Sequence, residues 1–198
     1  MDSNYCLRIS LVGSKPRIFR KIVVPGRIDL AELHLVIQEV MGWDNSHLHS
    51  FRIGDDTFSS SDFDRGYMDD DLPGEEYRLN EVVHFKKDVF KYLYDFGDDW
   101  LHKITVHDVD YQPKKKEVVE LMSKQDVVCL SGEGACPPDD CGGIWQYNWL
   151  VENLSDPDCP KRAEYLENLF LNEDDDFDPH HFDLNEVNAR LSFFEIAP

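Results

Sequence analysis

The chain has 198 residues, of which 41% are apolar and 12% aromatic, enough to bury one substantial core. Forty acidic residues against twenty Lys and Arg give a net charge of −20, which repels phosphate backbones and anionic membranes over most of the molecule. The sequence has no apolar run of membrane-spanning length and no signal-peptide pattern at its start. We therefore expect a cytoplasmic protein whose five cysteines are thiols or metal ligands.

The first predicted element is an antiparallel hairpin. Residues 5–11 alternate apolar and polar side chains, and residues 17–24 favour a second strand through branched and aromatic residues, with Arg20 and Lys21 facing solvent. Residues 1–27 hold six basic residues against one acidic residue. This asymmetry indicates an anion-binding face or, as we favour, pairing with the acidic remainder of the chain. The candidate nucleic-acid ligands are Arg8, Lys15, Arg17, Arg20 and Lys21.

The next segment is the clearest helix of the sequence. Asp29 and Glu32 predict a capping box at its start, and Gly42 follows its last apolar residue. The apolar residues between them recur at helical spacing and predict one buried face. His34 and Gln38 lie four residues apart and are expected on a solvated face.

The middle of the chain combines strands with a long polar connection. A short strand is predicted to carry His47 and His49 on one face. Residues 54–80, rich in Asp, Ser and Gly, are expected to form a surface excursion. Residues 89–106 favour a second hairpin that turns at residues 97–99.

The remainder of the chain is predicted to combine helices with one irregular loop. A weakly helical segment around residues 110–126 leads to residues 127–143, where two prolines and four glycines predict an irregular, rigid loop. Two amphipathic helices and a short helix capped by Asp183 follow. The expected fold is α+β: an antiparallel or mixed β-sheet of hairpins packed against a few α-helices, in a single domain over residues 1–198.

Four stretches carry a resemblance to a known family, and they occur in the order PRIFRKIVVP, LAELHLVIQEVMGWDNSHLHSF, YLYDFGDDWLHKI and ACPPDDCGGIWQYNWLVENL. They resemble the open-reading-frame-three-like family first named from a root-inducing (Ri) plasmid, the plasmid pRiA-type ORF-three family. That family includes a resolvase-like product of an insertion sequence. The resemblance covers residues 5–191 and implies an α+β fold with no established activity. Recombinase chemistry is not implied, because this acidic chain lacks a basic helix-turn-helix and a serine among arginines.

Three cysteines close together form the first candidate site. Their spacing, C-x6-C-x4-C, differs from the C-x2-C knuckle of a strong zinc motif, so we favour buried structural thiols over a metal site. A zinc ion held by three thiolates would need one imidazole as its fourth ligand. The candidate metal ligands are Cys129, Cys136, Cys141, His47, His49 and His102.

Histidines and carboxylates on the two middle strand pairs form the second candidate site. A carboxylate beside an imidazole would orient it and create a general base or a metal ligand. The alternative, which we favour, is that Asp95 and Asp98 accept backbone amides in the hairpin turn while His102 is a buried strand residue. The candidate catalytic residues are His49, Asp95, His102 and Asp139, with Trp100 and Asp140 in the same pocket.

Three functions are compatible with these patterns. The leading hypothesis is an interaction or binding module with a protein partner and no established activity, because no nucleophile singles itself out. The second is a metal-dependent hydrolase or nuclease-like enzyme with a zinc-like site. The third is an accessory nucleic-acid-binding protein linked to mobile elements, which the overall charge disfavours.

Overall fold

A computed structural model describes residues 3–60, 71–156, 158–172 and 174–197. Over these ranges one sheet contains eight strands, only two of which pair in parallel. The strands are β1 (Asn4–Leu11), β2 (Phe19–Pro25), β3 (His49–Ile53), β4 (Asp56–Ser59), β5 (Leu72–Pro73), β6 (Val89–Tyr94), β7 (Trp100–Asp108) and β8 (Val128–Glu133). Their order across the sheet is β5-β4-β3-β6-β7-β1-β2-β8.

Helices pack against one face of this sheet and along its β8 edge. They are α1 (Leu30–Met41), α2 (Leu79–Val82), α3 (Lys116–Met122), α4 (Gly143–Leu154), α5 (Arg162–Glu167) and α6 (Leu184–Leu191). None of the helices in the described ranges is both long and apolar enough to cross a membrane. The predicted α+β class is therefore confirmed.

The two predicted hairpins and the helix caps are confirmed. β1 pairs with β2 and β6 pairs with β7, both antiparallel. The Asp29 side chain accepts the Glu32 amide, and Glu32 in turn accepts the Asp29 amide, which completes the capping box of α1. At the other end of α1, Gly42 adopts φ 96°, the left-handed conformation that glycine tolerates best.

Helix α1 packs against the inner face of the sheet. Its apolar stripe, which includes Leu33, Ile37 and Val40, is fully buried together with inward side chains of the central strands such as Ile9 and Ile104. These residues belong to one continuous core, which also contains residues of α4 and α6. Burial of this apolar surface is the main stabilising contribution to the fold.

Two expected irregular segments contain regular structure. Residues 54–80 include β4, β5, a 3-10 turn at Gly74–Glu76 and α2, although residues 61–70 of this excursion lie outside the described ranges. The expected loop at residues 127–143 begins with β8, which pairs with β2 at the sheet edge. Gly132 lets the Phe182 ring pack directly on this strand, because a Cβ would lie 2.5 Å from the ring and would displace it. The glycine therefore allows close packing of an aromatic ring on a strand, and it does not mark a loop.

Three polar residues expected to face solvent are buried. Arg20, His34 and Gln38 are each 3% exposed. Both His34 and Gln38 contact the hydroxyl of Tyr92 from α1, so the buried face of the helix is wider than its apolar stripe. The prediction of a solvated face was wrong because buried polar partners on the sheet satisfy these side chains.

Arg20 points from β2 towards the C-terminal end of α1. Its Nε donates to the Val40 carbonyl at 2.7 Å, and its terminal nitrogens donate to the carbonyls of Phe19, Glu133 and Gly134. The guanidinium thus satisfies a carbonyl of the last turn of α1 and carbonyls next to the sheet edge. Arg20, which the sequence placed in solvent, is therefore buried and hydrogen-bonds three elements together.

Candidate functional site

Three connections meet at one end of the β6–β7 hairpin. The hairpin turn begins at Asp95, whose φ of 56° is a left-handed conformation that Asp tolerates better than most residues. Its amide donates to the Leu48 carbonyl at 2.8 Å, which ties the turn to the segment that precedes β3. Its Oδ1 accepts the amide of Gly97 at 2.8 Å. One carboxylate oxygen is thereby used by the turn, as expected.

The loop between β8 and α4 packs against the same turn. The Gly142 amide donates to Asp98 Oδ2 at 3.0 Å. A Cβ at Gly143 would lie only 2.6 Å from the Asp98 carbonyl oxygen, so only glycine permits this approach. The close contact brings Asp139 and Asp140, immediately before α4, to the hairpin turn.

His47, Asp95 and Asp140 form the centre of the site. His47 Nε2 lies 3.3 Å from Asp140 Oδ1 and 3.8 Å from Asp95 Oδ2. One potential ligand atom from each residue lies within 4.8 Å of the other two, and among the described residues no other three His, Cys, Asp or Glu side chains meet so closely. Asp95 is buried, His47 is partly buried and Asp140 is exposed, so the cluster opens to solvent on one side.

Asp139 lies beside this cluster with one oxygen partnered and one unpartnered. Its Oδ2 is 3.4 Å from Ser46 Oγ and 3.3 Å from the Tyr94 hydroxyl, both of which donate to it. Its Oδ1 is buried and accepts no hydrogen bond of good geometry from the described residues, and His47 Nε2 is likewise buried without such a bond among them. Burial raises the pKa of Asp139, against the opposing effects of the Asp44 amide and the His47 charge.

The other two candidate histidines lie elsewhere. His49 stacks on His34 of α1, with ring centroids 3.4 Å apart and planes 3° from parallel. His102 is fully buried on β7 with its ring nearly perpendicular to that of Trp43. Neither ring nitrogen makes a hydrogen bond of good geometry within the described ranges, although the backbone of Trp100 and of Tyr92 lies close enough to oppose part of the effect of burial on its pKa. Burial lowers the pKa of His102 to about 4, so its imidazole is neutral at pH 7.

The three candidate cysteines are thiols that do not join the ligand cluster. Cys129 lies in β8, whereas Cys136 and Cys141 flank the two prolines before α4. Burial raises the pKa of all three thiols, to about 11 for Cys129 and about 12 for Cys141. Since the thiolate is the metal-binding form, these environments disfavour metal coordination by sulfur. All five cysteines are free.

The candidate nucleic-acid residues are divided between environments. Arg20 is buried, as described above, and Arg17 pairs with Glu133 at the sheet edge. The Lys15 side chain is exposed in the β1–β2 turn. Arg8 and Lys21 lie directly opposite each other on the outer face of the sheet, away from α1.

Sequence reasoning named the members of the ligand cluster but did not group them. The sequence offers His47 as a candidate metal ligand and Asp95 as a candidate catalytic residue of the hydrolase hypothesis, whereas Asp140 is only a neighbour of the candidate Asp139. The sequence signal for this cluster was the pair of acids before the glycine-rich start of a helix, together with the acids of the hairpin turn. Only the packing of Gly143 against Asp98 brings the two segments together.

The fold and the site define an α+β protein with one helix-covered sheet and an open histidine–carboxylate cluster at the end of a central hairpin. The chain belongs to the family of plasmid pRiA4b ORF-3-like proteins, which it matches over residues 3–186. The resemblance inferred from the sequence motifs is therefore confirmed.

Two relatives extend this assignment. The chain is 37% identical over 164 residues to the uncharacterized protein y4hQ of Sinorhizobium fredii (strain NBRC 101917 / NGR234), covering 81% of this chain and 78% of that protein. It is also similar to the crystal structure of MM3350, a protein of unknown function from Methanosarcina mazei Go1. The TM-score is 0.76 and the identity 28%, over 94% of this chain and 98% of that one. Neither name assigns an activity, so function has to be argued from the site.

Proposed function

We propose that this protein binds one divalent metal ion between His47, Asp95 and Asp140. The observation that carries the proposal is the mutual approach of three ligand atoms, all within 4.8 Å of one another. Two ligands bound about 2.1 Å from the same ion lie at most about 4.2 Å apart, and the His47 contacts of 3.3 and 3.8 Å already meet this limit. Because Asp140 is exposed, its side chain can rotate the remaining distance.

The donor set selects the kind of ion. One imidazole nitrogen with carboxylate oxygens suits Mn²⁺, Fe²⁺ or Zn²⁺ better than ions that require soft sulfur ligands. Neighbouring thiols do not compete, because burial keeps Cys136 and Cys141 protonated. The ion would retain water on the side where Asp140 faces solvent.

Uncompensated charge at the site supports the same proposal. Asp95, Asp139 and Asp140 bring three carboxyl groups around one imidazole. The buried Oδ1 of Asp139 accepts no hydrogen bond from the described residues, an arrangement that costs free energy. A bound cation would offset this repulsion and desolvation, with Asp139 as a further ligand or as the acceptor of a metal-bound water.

The supporting residues fit a preorganised site. The turn amide of Gly97 holds one oxygen of Asp95, so the other oxygen faces His47. Burial raises the pKa of Tyr94 to about 12, so its hydroxyl stays protonated and donates to Asp139. Such outer contacts orient ligands and raise metal affinity.

Calorimetric titration of Mn²⁺ into untagged, EDTA-treated protein tests the proposal. We expect one ion per chain, and we expect Asp140→Asn to weaken binding by at least about tenfold, because ligand-sphere changes typically cost 10–100-fold. Asparagine tolerates the φ of 57° at this position, so the variant should fold.

Asp99→Asn is the matched control. Asp99 has a φ of 55° in the same hairpin turn, and its side chain is outside the ligand group. The control removes the same charge and should bind Mn²⁺ with an affinity within about twofold of the wild type, because Asp99 is exposed and water and salt screen a charge that does not touch the ion. Absence of binding to the wild type, or an equal loss in both variants, would contradict the proposal.

We also propose a cytoplasmic location and a single domain over the whole chain. Five free cysteines support the location, since reducing compartments keep thiols reduced. The continuous core shared by the sheet and the helices supports the single domain.

A further inference from the structure

The outer face of the central sheet, opposite α1, carries a stripe of basic side chains. Each of five adjacent strands, in the order β3-β6-β7-β1-β2, contributes one Lys or Arg to this face. With neighbouring strands about 4.8 Å apart, the stripe crosses about 19 Å of the sheet. We call it the cationic stripe, and its members are Arg52, Lys91, Lys103, Arg8 and Lys21.

The strand register places these like charges next to one another. Lys91 is directly opposite Arg52 on one side and Lys103 on the other. Arg8 is directly opposite Lys21, and its neighbour on β7 is Thr105, two residues from Lys103. Like charges directly opposite on a sheet destabilise it, so the stripe works against the stability of the fold. A partner that neutralises the charges would remove this cost.

The stripe is not neutralised by the chain itself. None of its five members forms an ion pair with a described side chain, although the Glu133 carboxylate that pairs with Arg17 also attracts Arg8. Acidic partners on this side are used by other cations at the margins, where Lys86 pairs with Asp108 and Arg17 with Glu133. Arg8 rests on the Phe19 ring, with 3.6 Å from the guanidinium carbon to the ring centroid, and this contact holds it on the face.

The pKa of the neighbouring His107 reflects the positive potential of this face. Burial lowers its pKa, and the charges of Lys21, Arg8 and Lys86 lower it further. A histidine in a chain of net charge −20 would ordinarily be surrounded by acids. Here the local field has the sign opposite to that of the whole molecule.

From this arrangement we propose that the cationic stripe binds the phosphate backbone of a nucleic-acid duplex. A duplex carries one negative charge per about 1.7 Å of its axis, so a stripe of about 19 Å faces a dense row of phosphates. The acidic remainder of the chain is repelled by the same duplex, which leaves the outer face as the docking surface.

The side chains of the face favour a duplex over a single strand. Proteins that bind single strands stack exposed aromatic rings on the bases. Phe19, the aromatic ring beneath the stripe, is buried under Arg8 and Arg17 and offers no free surface to a base. Recognition through phosphates alone is independent of sequence and strongly dependent on salt.

The stripe contains only some of the nucleic-acid candidates proposed from the sequence, and it contains further residues that the sequence did not indicate. Arg8 and Lys21 belong to the stripe, whereas Arg20 faces the core and cannot contact a ligand. Arg52, Lys91 and Lys103 join them only through strand pairing. The stripe does not include the metal ligands, so binding in EDTA separates this proposal from the proposed metal site.

Fluorescence anisotropy with a labelled 20-base-pair DNA duplex, in EDTA and from 20 to 300 mM NaCl, tests the proposal. With five phosphate contacts the slope of log affinity against log salt is about −4.5. Replacement of three adjacent, exposed cations of the stripe by Gln should weaken binding at 20 mM NaCl by at least tenfold and reduce the slope by about 3. This variant combines Arg52→Gln, Lys91→Gln and Lys103→Gln.

A second triple variant is the matched control. Lys114→Gln, Lys115→Gln and Lys116→Gln remove the same charge from exposed positions before and at the start of α3. This control should keep an affinity within about twofold of the wild type, because those lysines do not contribute to the stripe. Circular dichroism should show the same thermal transition in both triple variants, since all six side chains are exposed.

Other outcomes would overturn the proposal. Undetectable binding of the duplex at 20 mM NaCl would exclude a phosphate-binding face. Equal losses in the two triple variants would show attraction by overall charge alone. Tighter binding of the single strand, or binding of polyglutamate but not of the duplex, would assign the stripe to a different partner class.

Discussion

Basic side chains are buried on one face of the central sheet and lie at the surface on the other. Arg20 and Lys21 are consecutive on β2, and His102 and Lys103 are consecutive on β7. The first member of each pair is buried on the inner face, whereas the second lies on the outer face without an ion-pair partner among the described residues. Side chains alternate along a strand, so one step in sequence separates a core position from a surface position. The position in the strand, and not the residue type, therefore determines what each basic group does.

Arg20→Met tests the inner face and should produce the largest effect on stability. The substitution leaves carbonyls of Val40, Glu133 and Gly134 without the Arg20 donors, and each buried unsatisfied group costs about 1–3 kcal/mol. We expect the free energy of unfolding in urea to fall by at least about 3 kcal/mol. Lys21→Met is the control, with an expected change within about 0.5 kcal/mol. Similar losses in both variants would remove the distinction between the faces.

His102→Leu should produce an intermediate effect that appears only in acid. The pKa of His102 is about 4 in the folded protein, below about 6.5 in the unfolded chain. As the pH falls below about 6.5, the unfolded chain binds the proton first, so the folded protein loses stability until about pH 4. Between pH 7 and pH 5 this linkage amounts to about 2 kcal/mol.

Urea unfolding at the two pH values measures the difference. The wild type should lose about 2 kcal/mol more than His102→Leu between pH 7 and pH 5. At pH 7 the variant should be at least as stable as the wild type, because the two buried ring nitrogens of His102 make no hydrogen bond of good geometry within the described ranges. An identical pH dependence in both proteins would mean that His102 is solvated or partnered.

Lys103→Thr should produce the smallest effect, with the opposite sign. It removes a charge directly opposite Lys91 on the outer face and introduces a residue that favours strands. We expect a gain of about 0.5 kcal/mol at low salt that shrinks in 0.5 M NaCl, where charge repulsion is screened. Lys114→Thr, outside the sheet, is the control and should show no such gain. Destabilisation by Lys103→Thr would indicate that Lys103 is paired in solution.

Much of the fold could be predicted from local patterns. The alternation of β1, the capping box at Asp29 and the Gly42 terminus of α1 each arise from interactions within a few residues. By contrast, β8 was predicted as a loop, because its strand state depends on pairing with the distant β2. The burial of His34 depends in the same way on Tyr92 of another element.

The candidate site was predictable in composition but not in grouping. The sequence indicated that imidazoles and carboxylates of the middle strands matter, and the ligand cluster uses His47 and Asp95 from these segments together with Asp140 from the loop before α4. It could not indicate that His49 and His102 lie apart from them, since strand pairing and helix packing decide that separation. Asp140 reaches the site because Gly143 packs against the Asp98 carbonyl, a contact between positions far apart in the chain.

The sequence by itself determined the α+β class, the family, the two central hairpins and the helix caps, because motif order, alternation and capping are local properties of the chain. Tertiary structure alone decided which basic residues are buried, which join the cationic stripe and which acids approach His47. The physical reason is that burial and electrostatic fields sum over neighbours in space, which long-range strand pairing and helix packing bring together.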